Sequence, residues 1–482
     1  MTSQEAITSL QRAFPADQLH LPDSDAFKKL NGSYLSALEN DIAPAAILQP
    51  KSAEEVCLFL KTVQPFVLTR GATVTFAIRG AGQQPLPGCA NADGGITLDL
   101  GFLTGTQLDT ESWVISIAAG ERWGAVYEEL HSHKRSITGS RSAKGGIGGL
   151  ALAGGLSFFS TREGFICDNV VKYEVALASG EVVVASVDEN PELYKALRGG
   201  GNNFGVVTKF FMRTFEQGPL WGGNVFYHPP SFPDQVDALV RHLDDDQVET
   251  HVMISLFFAA QFGSALGLNQ VYYTREVENP PILDPFVKIE PQIDQLNSVR
   301  MINVRDAAAE QAAMSADGIR VAYMNTTVKA DPETLKAAAT KFLAVLEDVK
   351  GPDGLVFSMT LQPYPVSLLT KGLSAGGNVT GLTPADGPLV SVLILLNWKN
   401  KEDDEKILGA AEEMIKAVDE DATKRGTSVA YKYLNYAFTF QDPIGSYGAE
   451  NLGFLRDVSK AVDPQGVFQK GVPGGFKLWA PR

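Results

Sequence analysis

The sequence has 482 residues, enough for two or three domains, and its 44% hydrophobic and 20% charged residues exclude a wholly disordered or fibrous chain. Lys and Arg number 41 and Asp and Glu 56, so the formal net charge is −15. An acidic chain without a basic block is poorly suited to nucleic acids or anionic membranes, and we expect neither partner. The longest apolar runs have the length of strands, and no secretory signal pattern opens the sequence, so we expect no membrane span and a cytoplasmic location.

The sequence offers no pattern of metal ligands. Cys57, Cys89 and Cys167 stand at unrelated spacings, which fits neither a disulfide framework nor a zinc site. His131 and His133 form the one close histidine pair, and no carboxylate or cysteine motif accompanies them. The P-loop, H-E-x-x-H and G-x-S-x-G patterns are absent as well. We therefore expect no metal site and none of these catalytic classes.

Helix and strand signals alternate over the first 215 residues. Ser52, followed three residues later by Glu55, is a capping-box pattern that predicts a helix to about Val63. Further helices are predicted at 123–131 and at 190–197, where Pro191 occupies the first position. Strands are predicted at 74–78, 95–100, 113–119, 170–178, 181–186 and 205–213, and Ser179-Gly180 predicts a hairpin turn between the fourth and the fifth.

The pattern changes near Pro219. Longer amphipathic helices, predicted at 234–243, 331–349 and 403–418, alternate with strands predicted at 251–260, 354–361 and 389–398. We therefore predict one domain at 1–215 and a second at 216–425. The tail at 426–482 opens on a predicted strand at 429–436.

Glycine is concentrated between Gly139 and Gly205, where 13 of 67 residues are glycine. Such density indicates backbone in unusual conformations or in close approach to another group. Three segments, 79–83, 145–149 and 198–207, combine runs of small residues with a neighbouring strand or apolar run. Backbone N–H groups in such loops can converge on a phosphate or pyrophosphate. No long helix pattern follows any of the three, so the simple dinucleotide-binding fingerprint is not met.

Together the segments resemble the flavin-binding oxidases of the vanillyl-alcohol oxidase / p-cresol methylhydroxylase superfamily, and more narrowly the fungal form of its berberine bridge enzyme-like branch. IRGAG at 78–82 is similar to the family's pyrophosphate loop, and PKSAEEV at 50–56 is similar to the helix that opens the flavin domain. Residues 148–171 and LRGGGNNFGVVT at 197–208 are similar to two further flavin stretches. YLNY at 433–436 and DPQGVF at 463–468 resemble the C-terminal segment of that branch, whereas the middle of the chain is only loosely similar, best at 376–382.

The resemblance implies an α+β fold of two domains with FAD as cofactor. A discontinuous FAD-binding domain of the PCMH type is expected from 1–215 and the returning tail at 426–482. The domain at 216–425 is expected to be an antiparallel sheet with helices covering one face and its open side over the flavin. The substrate, a small molecule, is expected between the two domains.

The resemblance also assigns roles to the glycine segments. The implied diphosphate contacts are backbone N–H groups of the first segment: Gly80, Ala81, Gly82, Gln83 and Gln84. The second segment is implied to line the isoalloxazine and diphosphate through Gly145, Gly146, Gly148 and Gly149, and the third to line the adenine through Gly205 and Val206. Asn435 is expected to hold the chain or the flavin edge. Arg79 has two open interpretations, a cation for the diphosphate or an ion pair at the end of a strand.

Two departures from the family concern flavin attachment. Where many relatives carry a histidine bonded to the flavin, this sequence has Gln83, and the position of a second anchor, a cysteine, corresponds best to Ser142. Neither side chain can form those bonds, so we expect FAD to be bound noncovalently. The implied oxygen-access position, three residues after Ser142, is Gly145, which is too small to block oxygen.

Tyr433 and Tyr436 are the candidate catalytic residues. The resemblance implies that both face the flavin ring and that Tyr436 stands where the family more often carries its acid/base group. A core tyrosine is the alternative for each. Their spacing of three puts them on opposite faces of an ideal strand, so both reach one site only if the strand is twisted or bulged.

The implied activity is that of an FAD-dependent oxidase or dehydrogenase. Hydride would pass from a secondary-metabolite-like substrate to flavin N5, and molecular oxygen is the expected acceptor, giving hydrogen peroxide. The missing anchors keep open a non-redox isomerase or cyclase on the same scaffold, and a non-catalytic binder is the third hypothesis. Oxygen uptake with a candidate substrate distinguishes the first hypothesis from the other two.

Overall fold

The computed structural model describes residues 2–69, 74–374 and 376–479. The helices are α1 Ser3–Ala13, α2 Asp25–Asn31, α3 Ala37–Asn40, α4 Ala53–Leu68, α5 Trp123–Ser132, α6 Ile147–Leu152, α7 Ser160–Glu163, α8 Pro191–Leu197, α9 Phe232–Asp244, α10 Asp284–Val287, α11 Val304–Ala313, α12 Pro332–Val349, α13 Val366–Ser374, α14 Asp404–Arg425, α15 Ala449–Val462 and α16 Val467–Lys470. The strands are β1 Leu19–His20, β2 Ala46–Leu48, β3 Phe76–Arg79, β4 Ile96–Asp99, β5 Thr106–Asp109, β6 Val114–Ala118, β7 Arg135–Ser136, β8 Val170–Ala176, β9 Val182–Ser186, β10 Val206–Arg213, β11 Phe215–Glu216, β12 Leu220–Tyr227, β13 Thr250–Ala259, β14 Ala265–Tyr273, β15 Arg300–Ile302, β16 Arg320–Lys329, β17 Val356–Tyr364, β18 Leu389–Trp398 and β19 Ser428–Val429.

Local sequence signals explain several of these boundaries. Ser52 caps α4 by accepting a hydrogen bond from the backbone N–H of Glu55, as predicted, but the helix continues past Val63 to Leu68. Pro191 opens α8 as predicted. Gly180, at φ +76°, turns the hairpin between β8 and β9.

Two larger sheets are built from the first part of the chain, and β7 and β11 form a further two-stranded sheet. One has the order β1-β2-β4-β3, in which β2, β4 and β3 run parallel and β1 pairs antiparallel with β2. The other has the order β5-β6-β10-β8-β9 and is antiparallel throughout. The first glycine segment follows β3, the second leads into α6, and the third leads into β10. Each glycine segment is therefore joined directly to a strand or a helix.

A larger antiparallel sheet follows, with the order β15-β12-β14-β13-β17-β18-β16-β19. The helices α9, α12 and α14 pack on one face and enclose a hydrophobic core with it. Along β18 the side chains alternate between the two faces of the sheet. Val392, Ile394 and Leu396 enter that core, whereas Leu393 and Leu395 point to the opposite face. The expected sheet with helices on one face is confirmed.

The tail packs against the first part of the molecule. The helix α15 contacts α8, and α16 contacts α4. Phe468 meets Phe76 of β3 edge to face, with ring centroids 6.2 Å apart. These contacts place the tail in the same hydrophobic core as the first two sheets, so the expected α+β, discontinuous architecture is confirmed. The exact domain limits at 215/216 and 425/426 remain predictions.

The predicted strand at 429–436 is wrong for most of its length. Only Ser428 and Val429 pair with β16, and a 3₁₀ turn occupies Leu434–Tyr436. The chain leaves the sheet here because it crosses toward the glycine segments, where Asn435 donates to the backbone oxygens of Leu150 and Ala153. Over the described residues, no helix has both the length and the apolar character that a membrane crossing requires.

Candidate cofactor and substrate site

A cavity of about 760 Å³ separates the glycine segments from the open face of the large sheet. We call one side the glycine wall, formed by cavity-lining residues of 80–84, 145–149 and 201–207. The opposite side, formed by cavity-facing side chains of β13, β16, β17 and β18, is the sheet wall. A volume of this size suits a small-molecule or cofactor site. The cavity is lined by these predicted site residues: Gly80, Ala81, Gly82, Gln83, Gln84, Ser142, Gly145, Gly146, Gly148, Gly149, Gly205, Val206, Tyr433, Asn435 and Tyr436.

The first glycine segment turns sharply as it leaves β3. Gly82 has φ +65°, and a Cβ there would lie 2.9 Å from Arg79 Nε and 3.0 Å from the Tyr34 ring. Its carbonyl oxygen accepts a hydrogen bond from the backbone N–H of Leu35 at 2.9 Å. Glycine at this position is therefore required both by backbone conformation and by packing.

Arg79 lies behind this loop and does not line the cavity. Its guanidinium donates to Leu30 O at 2.7 Å and to Ser33 Oγ at 2.7 Å, and it pairs with Asp99 at 3.4 Å. Both members of the ion pair are about 95% buried. The structure therefore has the strand-end ion pair, which corrects the expected role of Arg79 as a cation for the diphosphate.

Arg122, the residue before α5, joins the first two glycine segments. Its guanidinium donates to Ala81 O at 3.0 Å and to Lys144 O at 2.5 Å. Between the two segments the fit is tight, since a Cβ on Gly146 would lie 2.4 Å from Ala81 Cβ. Arg122 was not predicted, because nothing near it in the sequence signals a contact with a loop 41 residues away.

The third segment is held by a buried ion pair. Arg198 Nη2 and Asp168 Oδ1 are 3.0 Å apart, with 0% and 1% of their side chains exposed. Asn378 also donates to Asp168, and Arg198 donates to Cys167 O and Gly377 O. The segment 376–382, singled out by the resemblance, thus supports the glycine wall from behind.

The two positions of the missing flavin anchors, Gln83 and Ser142, both line the cavity. The Gln83 amide nitrogen is buried and has no hydrogen-bond partner, so a donor is left free for a ligand. Among the described lining residues there is no Asp or Glu that would repel a diphosphate. The glycine wall accordingly fits a cofactor with a diphosphate group.

Tyr433 and Tyr436 are brought together by the 3₁₀ turn. Side chains three residues apart lie on one side of such a turn, and their ring centroids are 4.7 Å apart in edge-to-face contact. No bulged strand is needed. Asn435 donates to Tyr433 Oη at 3.0 Å.

Arg141 reaches from the glycine side toward Tyr436. Its Nη2 donates to Tyr436 Oη at 2.6 Å, and its Nη1 lies 3.2 Å from Gln362 Oε1 and 2.6 Å from Met253 Sδ. Arg141 lines the cavity and was not predicted. Its only sequence signal is its position one residue before Ser142.

Burial holds three titratable side chains around this site in their neutral forms. Burial raises the pKa of Tyr433 well above its ordinary range, so its hydroxyl keeps its proton. Burial likewise raises the pKa of Tyr323, whose ring meets that of Tyr436 at 5.8 Å. Burial and the charge of Arg141 lower the pKa of His251 to about 3, so this histidine is neutral at ordinary pH.

The sheet wall combines apolar and neutral polar side chains. Phe257, Leu393 and Leu395 give it apolar area. Ser255, Ser358 and Thr360 form a short chain of hydroxyl contacts at 2.9 Å and 3.2 Å. In the described parts of the chain, no group of three or more His, Cys, Asp or Glu side chains is placed to hold a metal ion.

Comparison with known proteins places these features in a family. A family model described as an FAD binding domain matches residues 44–186. The chain is 35% identical over 466 residues to FAD-dependent monooxygenase tpcD of Cochliobolus heterostrophus, and the aligned region covers 93% of this chain and 88% of that protein. The fold is similar to that of xylooligosaccharide oxidase from Myceliophthora thermophila, with a TM-score of 0.79, 20% identity and 99% of both chains covered. It is also similar to that of BBE-like 1 from Physcomitrella patens, with a TM-score of 0.77, 18% identity and coverage of 98% and 99%.

Proposed function

The chain belongs to the family of FAD-dependent oxidoreductases that includes the Cochliobolus monooxygenase, and from this premise we propose that it is an oxidase with noncovalently bound FAD. Its fold is the berberine bridge enzyme-like fold of the vanillyl-alcohol oxidase / p-cresol methylhydroxylase superfamily. Its proposed substrate is a small, secondary-metabolite-like molecule that loses two hydrogens. One observation carries the proposal. A single cavity is lined on one side by glycine segments suited to the cofactor and on the other by a sheet wall next to Tyr436 and Arg141.

Bound FAD would supply two-electron redox chemistry as the acceptor of a hydride, and dioxygen is the proposed final acceptor, which would give hydrogen peroxide. The chain itself binds and orients the reactants. The backbone of 80–84 and the free amide of Gln83 are proposed to hold the diphosphate. Residues of 145–149 are proposed to lie against the flavin ring and diphosphate, and Gly205 and Val206 against the adenine.

Tyr436 is the proposed base that removes a proton from a substrate hydroxyl. The hydrogen bond from Arg141 to Tyr436 Oη supports this role, because a charged donor stabilises a phenolate oxygen more than it stabilises a neutral hydroxyl. Tyr433 does not share the role, since burial keeps it protonated. We propose that Tyr433 orients Tyr436 through their edge-to-face contact.

Noncovalent attachment is proposed from the side chains at the two anchor positions. An amide at Gln83 and a hydroxyl at Ser142 cannot form the bonds that histidine and cysteine form with a flavin ring. Both residues nevertheless line the cavity, where they can contact the bound cofactor by hydrogen bonds. The relatives reported above carry names of redox enzymes, so the non-redox alternative is not favoured.

The first test is the visible spectrum of the purified protein, repeated on the supernatant after acid precipitation. Flavin colour that moves wholly to the supernatant is expected. The matched control is Gln83→His, which places an anchor-competent side chain at the same position. Colour that stays in the wild-type pellet would overturn noncovalent binding.

The second test measures oxygen uptake and product mass with isotopically labelled dioxygen. An oxidase gives a product that has lost two hydrogens, with the label in peroxide and none in the product. A labelled product would instead match the monooxygenase name of the Cochliobolus relative. Conversion without oxygen uptake would overturn the oxidase proposal in favour of a non-redox reaction.

A further inference from the structure

The sheet wall extends far beyond Tyr436. Gln362 Oε1 lies 3.3 Å from Tyr436 Oη, and from there the cavity-facing residues of β17 continue to Val356. Successive residues of an antiparallel strand are about 3.4 Å apart, so the step from Gln362 to Val356 spans about 20 Å. A single ring bound at Tyr436 therefore leaves most of this length uncovered.

Three phenylalanines lie toward the far end of the cavity, in a cluster that we call the aromatic end: Phe226 of β12, Phe257 of β13 and Phe262 in the turn after β13. The ring centroids of Phe226 and Phe257 are 6.2 Å apart and those of Phe257 and Phe262 are 6.1 Å apart, both edge to face. Along β13, Phe257 is about 13 Å beyond Met253, the contact of Arg141. The aromatic end and the proposed base therefore occupy different parts of one cavity.

The aromatic end is uncharged and reaches solvent. Arg141 is the one charged side chain among the described residues that line the cavity, and its contacts lie at the opposite end. Phe262 exposes 40% of its surface and Met314, after α11, exposes 55%, although both line the cavity. Exposed apolar surface that continues into a pocket is typical of a groove that binds a ligand.

The cofactor does not account for the aromatic end. The proposed contacts of FAD are on the glycine wall, whereas the aromatic end consists of side chains from β12, β13 and the turn after β13. The phenylalanine beside the third glycine segment is Phe476, whose backbone oxygen accepts a hydrogen bond from Asn203 Nδ2 at 3.0 Å. The aromatic end thus faces the space left for the substrate.

We propose that the substrate of this enzyme is an elongated molecule with two separate parts, a group that is oxidised beside Tyr436 and a remote aromatic ring that packs on Phe257 and Phe262 at the aromatic end. The inference rests on the proposed function, whose substrate class it narrows by shape. A ring gains edge-to-face contacts with these side chains in addition to the burial of its apolar surface. The aromatic end is thus a specificity site at a distance from the chemistry.

Binding of matched neutral probes to the FAD-loaded protein tests this inference without turnover. Benzamide is the short probe, and 4-(phenylethynyl)benzamide and 2-(phenylethynyl)benzamide add the same second ring in a straight and in a bent arrangement. None of the three has an alcohol or amine carbon that could be oxidised. Isothermal titration calorimetry gives each dissociation constant. The straight isomer is expected to bind at least about tenfold more tightly than the bent isomer, because only its second ring reaches the aromatic end.

Variants of the aromatic end identify the responsible side chains. Phe257→Ala and Phe262→Ala are each expected to remove most of the preference for the straight isomer and to leave the affinity for benzamide unchanged. Phe262→Leu is expected to retain part of the preference, because leucine keeps apolar surface without the ring. Phe440→Ala is the control, since Phe440 is 36% exposed and lies outside the cavity, near Lys416.

Two results would overturn the inference. One is equal affinity for the straight and the bent isomer, or a preference that survives both alanine substitutions. The other is a loss of FAD affinity in Phe262→Ala with the preference intact, which would assign the aromatic end to the cofactor. None of these measurements depends on oxygen uptake, so failure of the proposed oxidase activity is detected separately.

Discussion

The glycine wall and the sheet wall of the same cavity are made in different ways. The glycine wall presents backbone, and its shape comes from glycines such as Gly82, at φ +65°, and from Arg122, which joins two loops through their carbonyl oxygens. The sheet wall presents alternate side chains of β-strands whose other side chains fill the core. Backbone contacts depend little on side-chain identity, so they suit a cofactor, whose chemical structure is fixed. Side-chain contacts suit a substrate, because single substitutions change them without disturbing the fold.

This difference has a consequence for substitutions. A change in the glycine wall alters the position of the loop itself, whereas a change in the sheet wall alters only what the cavity accepts. Tyr436 and Arg141 belong to neither wall. They come from the tail and from the segment before Ser142 and meet between the walls. The proposed base and the arginine that donates to its hydroxyl oxygen are therefore held by parts of the chain distant from each other in sequence.

The largest expected effect is the loss of the ion pair behind the glycine wall. Asp168→Ala leaves the guanidinium of Arg198 buried without its carboxylate, which is expected to destabilise the protein by about 3–5 kcal/mol. Thermal and denaturant unfolding measure the change, and flavin retention is expected to fall with it. Asp353→Ala is the control, because its pair with Lys399 is mostly exposed. An unfolding midpoint equal to that of the wild type would show that the glycine wall does not depend on this pair.

Removal of the hydroxyl of Tyr436 is expected to act on rate and not on folding. Tyr436→Phe keeps the ring contact with Tyr433 but removes the proposed proton acceptor, so kcat is expected to fall about 10²- to 10⁴-fold. Steady-state kinetics provide the measurement.

The control for Tyr436 is Tyr431→Phe. The Tyr431 hydroxyl is buried and has no hydrogen-bond partner, so its removal is expected to leave kcat unchanged. Equal rates for Tyr436→Phe and the wild type would refute the assignment of the base. A similar loss in both variants would indicate a general effect of tyrosine packing.

The glycine wall was largely predictable from the sequence, and the sheet wall was not. Glycine is favoured where the backbone adopts a positive φ or approaches another group closely. The runs at 79–83, 145–149 and 198–207 therefore indicated the loops that the structure places around one cavity. Three of the four strands in the sheet wall, β13, β17 and β18, were predicted close to their observed limits, whereas β16 at Arg320–Lys329 was not predicted. Alternation alone did not identify which face of β18 is buried, because both faces carry apolar residues.

The residues that were missed act over long sequence distances. Arg141 meets Tyr436 across 295 positions, and Arg122 meets the first glycine loop across 41. A single arginine has no local signature for such contacts. The tail was mistaken for a strand because the pattern at 429–436 has β-forming residues, whereas the 3₁₀ turn at Leu434–Tyr436 depends on tertiary contacts of Asn435.

Acid is expected to destabilise the half of the molecule that builds the sheet wall. Burial lowers the pKa of His242 to about 4, and burial with the charge of Arg141 lowers that of His251 to about 3, from an ordinary 6.5. The unfolded chain thus binds protons that the folded chain does not. Stability is fully present above pH 6.5 and is lost as pH falls toward these values, by about 1.4 kcal/mol for each unit of pKa shift.

Thermal unfolding as a function of pH measures this loss. His242→Gln and His251→Gln are each expected to flatten the dependence below pH 6.5. His133→Gln serves as the exposed control, with 37% of the native side chain accessible, and is expected to leave the dependence in place. A wild-type unfolding temperature that stays constant down to pH 4 would contradict the role of both buried histidines.

The smallest expected effect tests whether the cofactor lies against the glycine wall. Gly149 lines the cavity, and a Cβ there would meet no protein atom within 4 Å. Gly149→Val therefore adds volume to the cavity itself, and the affinity for FAD is expected to fall about 10- to 100-fold by overpacking. Titration of the apoprotein with FAD measures the change, and the thermal stability of the apoprotein is expected to stay near that of the wild type.

Substitutions of two other glycines serve as comparisons for Gly149→Val. Gly146→Ala brings a Cβ within 2.4 Å of Ala81 Cβ, so it disturbs the two loops whether or not a cofactor is bound. Gly409→Ala, on the exposed face of α14, is expected to raise stability by about 0.5–1 kcal/mol and leave FAD affinity unchanged. If Gly149→Val binds FAD as tightly as Gly409→Ala, the cofactor does not lie against the second glycine segment. The assignment of the glycine wall to the cofactor and of the sheet wall to the substrate would then be wrong.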